Sequence, residues 1–314
     1  MIEFVSESVS LDDFIERIAE RTDEDPKSIR TFLDPFVDDG AVTSDAIEAT
    51  VTDVSQILAT AETRVDLATR TTADVREAVA AVPDLSIVQL RDRAFEERLA
   101  DLRADVDELG EDLTAVRTGM GSAVDIYQAG VRLHEITTDA QDIVRVAHDL
   151  ETELEAFEAW LNSANRRHDA LIDEIEAAET SASSIAETIE TLQSADEPNS
   201  EHWFDATIQT RVLETVVADL RVEEADLREW AEHEEKSFPD DVEARIKSLQ
   251  DETAASAAAL ADHPDWDPLF DERLEVLEAE LEALEPPIAW AQVDGHIAKA
   301  REVIDADDKT THEG

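Results

Sequence analysis

The residues best suited to bind a metal or move a proton near neutral pH are the eight histidines of this 314-residue chain. They are scattered, at positions 134, 148, 168, 202, 233, 263, 296 and 312. The segments "HEITTDA" from His134 and "HEEKS" from His233 open like a zincin helix, but each lacks the second His. His168 falls on an apolar seam, where a single imidazole more often sets register than ligates. The spaced carboxylates of "HPDWDPLFDE" suggest a calcium loop. That segment lacks the turn glycine and carries Pro268, so it reads as a solvated loop. "GMGSAV" offers Gly119 and Gly121, but Val124 stands where a dinucleotide fingerprint needs glycine, and no strand pattern precedes it. No Gly-Lys-Ser/Thr occurs. The chain has no Cys, hence no disulfide frame and no thiolate chemistry. Runs such as "LEVLEAELEALE" put carboxylates on a solvent face, whereas a working acid needs a pocket that retunes it. No catalytic, cofactor-binding or metal-binding residue is assigned, and a non-enzymatic protein is expected.

Recognition chemistry has one candidate. "SIRTFLDPFVDDGAVT", residues 28–43, resembles the end of a DNA-reading helix, with Lys27, Ser28, Arg30 and Thr31 available at its start. Three features oppose that reading. Pro35 is expected inside the helix, where it removes a donor. Thr43-Ser44-Asp45 is expected to start another helix directly, leaving no strand pair for a wing. Residues 1–50 hold 14 acidic and four basic side chains, which is no footprint for phosphates. A helical cap or protein-docking module is therefore preferred, with DNA binding by those four residues as the alternative. The five tryptophans, at 160, 203, 230, 266 and 290, read as staples at helix ends with their N–H groups kept wet.

Long helices must position whatever these residues do. Leu11, Phe14, Ile15 and Ile18 define a first short helix; Ile29, Phe32, Leu33, Phe36 and Val37 define a second, stopped by Gly40. From Ser44 a seam of alternating four- and three-residue steps runs from Ile47 to Val82, and a second from Phe95 to Val116. A third runs from Ile126 to Leu192 through Leu161, Ala164, His168 and Leu171, which predicts one unbroken helix over 122–193. Shorter helices are predicted at 201–236, 240–262, 268–284 and 288–305. The expected fold is all-α: long antiparallel coiled-coil helices in two bundles that share one long helix. The expected domains are a small helical module at 1–43, a three-helix bundle at 44–157, a second helical bundle at 158–305 and a disordered tail at 306–314.

Composition sets the environment. With 79 Asp and Glu against 26 Lys and Arg, the net charge is −53, and only five of the basic residues are Lys. Self-repulsion on this scale strains a compact state. Screening shortens from about 8 Å at physiological salt to roughly 3 Å at 1 M, so a halophilic protein of a high-salt cytoplasm is expected. The start of the chain lacks the basic and apolar regions of a signal peptide, and no apolar run approaches the ~20 residues of a membrane span.

The segments "DPKSIRTFLDPFVDDGAVTSDAIEATVTDVSQILATAETRVDLA", "LEAFEAWLNSANRRHDAL" and "EPPIAWAQVDGHI" resemble the haloarchaeal family called halo transducer protein. The resemblance spans most of the chain and implies a role in signal transduction beside chemotaxis-type transducers. It identifies no site residue. The glutamate-rich hairpin tip of such transducers is missing, "TGMGS" being the only candidate turn. Together these readings predict a cytoplasmic helical scaffold with a protein partner. A homodimer is expected if the second half of the long helix stays uncovered, membrane insertion and cofactors are not expected, and a transcriptional regulator is the alternative.

Overall fold

The computed structural model describes residues 9–22, 24–195, 199–261 and 268–308. It is 85% helical, so the all-α class holds. The order is β1 (Val9–Ser10), α1 (Leu11–Ala19), α2 (Pro26–Leu33), a 3-10 turn (Asp34–Phe36), β2 (Val37–Asp38), β3 (Ala41–Val42), α3 (Ser44–Val79), α4 (Ser86–Gly119), α5 (Ala123–Leu161), α6 (Ala164–Ser194), α7 (Ser200–His233), α8 (Val242–Leu260), α9 (Pro268–Glu282) and α10 (Trp290–Asp308). The chain divides into two compact units, Met1–Glu77 with Phe95–Phe157, and Ala78–Ala94 with Glu158–Gly314.

In the first unit, α1 begins where Ser10 Oγ accepts from the Asp13 amide at 3.2 Å, and α2 begins with Pro26 in its first turn. Two expectations for this module are corrected. Pro35 is not inside α2; the α-helix stops at Leu33 and Pro35 lies in the 3-10 turn, where its missing donor costs little. A strand pair does follow. Asp39 and Gly40, at φ 48° and 81°, form the Asp-Gly hairpin turn that joins β2 to β3, so Gly40 turns a hairpin rather than ending a helix. The sheet order is β1-β3-β2, antiparallel throughout, with Val42 opposite both Val9 and Val37. Two-residue strands are too short to print an alternating pattern in the sequence. Ile18, Ile29, Leu33 and Phe36, all with zero exposure, form the module's core.

This module sits against α5 at an unusually close approach. A Cβ on Gly130 would lie 2.4 Å from the Phe32 carbonyl oxygen and 3.2 Å from the Phe36 ring, so only glycine fits. The Phe32 ring meets Tyr127 and His134 edge-on, at 6.2 and 5.6 Å. Thr50 Oγ1, on α3, donates to the Pro35 carbonyl at 2.7 Å.

The long helices of this unit run antiparallel, as their cross-links show. Arg103 on α4 donates to Thr69 on α3, while Arg76 pairs with Glu96, so position falls on one helix as it rises on the other. Arg98–Glu153 and Arg132–Asp112 tie α4 to α5 in the same reversed sense, and Arg64–Glu151 ties α3 to α5. The apolar seams lie inside: Ile47, Val51, Val54, Leu58, Ala61, Val65, Ala68, Thr72 and Val75 on α3 are all buried. Thr72 escapes an unsatisfied hydroxyl by donating to Ala68 O at 2.9 Å.

In the second unit α6, α7 and α8 pack on one another, with Arg245 on α8 gripping Glu179 on α6 through two bonds of 2.9 and 2.8 Å. Phe204 and Ile208 of α7 join Leu274, Leu277 and Leu281 of α9, and Ile288, Val293 and Ala300, in one core cluster. The predicted unbroken helix is corrected here: α5 ends at Leu161 and α6 starts at Ala164. Ser163 is extended (φ −140°, ψ 109°) and its Oγ accepts from the Arg166 amide at 3.4 Å, a side-chain cap for a new helix. Beyond the break the seam keeps its expected positions from Leu171 to Leu192, with one exception at its start. Arg167, not His168, takes the inward position between Ala164 and Leu171.

Candidate functional site

The second unit turns a row of ionisable side chains inward along α7. Asp219, Glu223 and Asp226 stand four and three residues apart, which places them on one helical face. Asp219 receives hydrogen bonds from the 288–290 segment, and Glu223 and Asp226 both receive theirs from α4. Asp219 accepts from the Ile288 amide at 2.9 Å and from Trp290 Nε1 at 3.1 Å. Glu223 accepts from Arg91 Nη2 at 3.2 Å. Asp226 accepts from Ser86 Oγ at 2.6 Å and the Ile87 amide at 2.9 Å, capping the first turn of α4 from another helix.

Above this ladder lies a cleft of about 460 Å³. Ile87, Leu90, Leu213, Val216, Ile288 and Trp290 give it apolar walls, while Arg91, Glu174, Asp219 and Glu223 supply its polar end. Arg91 is held from two sides. Its guanidinium lies 4.4 Å from the Trp160 ring centre and 3.6 Å from Glu174.

The charges here are unbalanced, and the carboxylates respond. Glu223 is only 5% exposed. Burial, reinforced by the nearby Glu174 carboxylate and only partly opposed by Arg91, pushes its carboxyl up to about 8. Burial also raises Asp219, against the pull of its bonds from Ile288 and Trp290. Chemically the site can hold a proton near neutral pH and accept hydrogen bonds. Among the described residues no group of three or more His, Asp or Glu could hold a metal ion.

A second polar centre closes the helix break. Arg167 is 2% exposed, stacks 3.7 Å from the Trp230 ring centre and pairs with Glu234 at 2.8 Å. Its Nη1 donates to the Leu161 carbonyl at 2.7 Å, so one guanidinium satisfies the open end of α5. Trp160 and Trp230 meet edge-on at 5.6 Å. Trp160, Trp203 and Trp230 are buried rather than wet at their tips, a correction to the reading of tryptophans as exposed staples. Trp290 keeps 36% exposure, and Trp266 lies outside the described residues.

The four residues singled out for DNA cluster at the start of α2. Lys27 and Thr31 are exposed, Ser28 is half-buried, and Thr31 Oγ1 donates to the Lys27 carbonyl at 3.0 Å. Arg30 is paired with Asp12 of α1, which takes up its charge. Among the histidines, His134 packs on Phe32, His296 pairs with Glu280 at 2.9 Å, and His168 meets Phe238 edge-on at 5.2 Å. Burial holds the His168 imidazole below its usual range. His263 and His312 lie outside the described residues.

The sequence reading missed both the α7 ladder and Arg167. A usable signal existed for Glu223, a charged residue in phase with the core positions Leu220 and Leu227. Arg167 had none, because the apolar seam keeps its phase on both sides of the capped break and only the single position between Ala164 and Leu171 changes from His168 to Arg167. No family model matches the chain, and no curated protein or solved structure is significantly similar to it.

Proposed function

We propose that the protein is a non-enzymatic helical scaffold of a high-salt cytoplasm, with coiled-coil packing along its long helices and a role beside signalling proteins. The observation that supports this best is the fixing of the module at residues 9–42 onto long helices. Antiparallel helices tied by Arg76–Glu96, Arg98–Glu153 and Arg132–Asp112 make a stiff body. α3 alone, with 36 residues, is roughly 54 Å long at 1.5 Å per residue. The Gly130–Phe32 contact locks the module to α5, so a protein bound there is held at a set position. The resemblance to halo transducer proteins supplies the signalling association.

The test is affinity capture by the full chain in molar KCl, with mass-spectrometric identification. A discrete protein retained by wild type and lost from a Lys27→Glu/Thr31→Asp double variant supports the scaffold reading. Retention of the same proteins by an unrelated acidic chain refutes it.

The strand pair favours a second reading. A helix pair followed directly by a β2–β3 hairpin, with β1 on the far side of β3, is the arrangement of a winged helix-turn-helix. On this reading α2 contacts duplex DNA through Lys27, Ser28, Arg30 and Thr31, and the protein regulates transcription. Selection from a duplex library in molar KCl would yield a sequence preference that Lys27→Glu abolishes. An unenriched library removes this reading.

A further inference from the structure

We propose that the carboxylate ladder of α7 is a proton-operated clasp. Protonated Glu223 lets the first turns of α4, α6 and the Pro286–Trp290 segment close on α7, and its ionisation loosens them. The charged groups that bear on Glu223 are Arg91 from α4, Glu174 from α6 and Asp219 one turn earlier on α7 itself; Asp226, one turn later on the same face, is taken up by the Ser86 hydroxyl and the Ile87 amide. The Pro286–Trp290 segment offers only the Ile288 amide and the Trp290 indole N–H, both taken by Asp219.

One guanidinium therefore serves three carboxylates. With all of them ionised the cluster carries +1 and −3, or −2; a proton on Glu223 halves that to −1. Water relieves the difference poorly at Glu223 itself, which is 5% exposed, while Arg91 and Glu174 reach solvent along the cleft. The elevated carboxyl at Glu223, near 8, places the change within the range a cell can reach.

The geometry carries the effect outward. Asp219 and Asp226 flank Glu223 on the same face and hold the Pro286–Trp290 segment and the start of α4. An expansion around Glu223 pulls on both of these joints, and the exposed edge of Trp290 lies at the mouth of the cleft above them.

Hydrogen exchange on the full chain in about 2 M KCl tests this, following the amides of Ile288 and Ile87 from about pH 7 to 9. Rates are corrected for base-catalysed intrinsic exchange. In wild type, protection of both amides is expected to fall about tenfold or more across this range, equivalent to about 1.4 kcal/mol. Glu223→Gln keeps the shape and the hydrogen bond without the charge, and should hold protection constant. Glu174→Gln removes one repelling carboxylate, and should move the step to lower pH. Constant protection in wild type overturns the clasp, as does an undiminished step in Glu223→Gln. If Glu223→Gln fails to fold, an unmoved step in Glu174→Gln overturns it as well.

Discussion

Arg167 shows how much one side chain can decide. It caps the carbonyl end of α5, stacks on Trp230 and pairs with Glu234, all while nearly sealed from solvent. Removing it leaves open carbonyls and a half-buried carboxylate still paired with Lys236, so Arg167→Met should cost about 1–3 kcal/mol in denaturant unfolding. Arg167→Lys should restore little, because an ammonium cannot stack flat and donate along two directions at once. Glu223 governs pH dependence with a definite sign. Its folded carboxyl, near 8, lies above the ordinary 4.5, so the folded state holds a proton that the unfolded state has lost. Its contribution is full below pH 4.5 and disappears as pH rises to about 8. Glu179 and Glu234, both lowered, work the opposite way and lose stability as pH falls. The difference in melting temperature between wild type and Glu223→Gln isolates the one residue. The variant should gain several degrees relative to wild type on going from about pH 5 to 8, at roughly 2–4 °C per kcal/mol.

The helices themselves were legible from apolar spacing, because a buried stripe must recur at the helical period whatever covers it. On α3, positions from Ile47 to Val79 fall inside as the spacing requires. Leu154, with zero exposure, belongs to the same logic on α5. Leu154→Asp should unfold the first unit or cost it more than about 3 kcal/mol, read from a melting curve in molar KCl. What escaped was punctuation. The cap at Ser163 and the two-residue strands involve too few residues to leave a periodic trace, and each is fixed by a single hydrogen bond or turn. Gly130, next to the seam residue Ala129, leaves no periodic trace of its close contact either. Gly130→Ala should raise intrinsic helicity by up to about 1 kcal/mol, yet the new methyl would drive into the Phe32 backbone. The expected result is net destabilisation with loss of the Phe32–Tyr127 contact, measured by unfolding and by ring chemical shifts.

At the scale of the whole chain the decisive number is −53. Cross-helix pairs such as Arg98–Glu153 use many of the 26 basic residues, leaving most carboxylates to repel one another. Lowering KCl from molar to tens of millimolar should therefore reduce far-UV helicity and melting temperature together. Undiminished helicity in dilute buffer would contradict salt adaptation. No described helix is long and apolar enough to cross a membrane. Charge and class could be read from composition. The α7 ladder could not, because it joins residues up to 140 positions apart, as between Ser86 and Asp226.

The connection at residues 78–94 has a practical consequence. It interrupts the first unit in sequence and supplies Ile87, Val88 and Arg91 to the second. No single cut thus yields both units complete: a break after Phe157 leaves 78–94 on the first unit's fragment, and a break after Glu77 leaves 95–157 on the second's. Fragment libraries made by simple truncation would yield pieces with a missing wall, and a faithful dissection requires grafting the excised stretch back through an artificial tether.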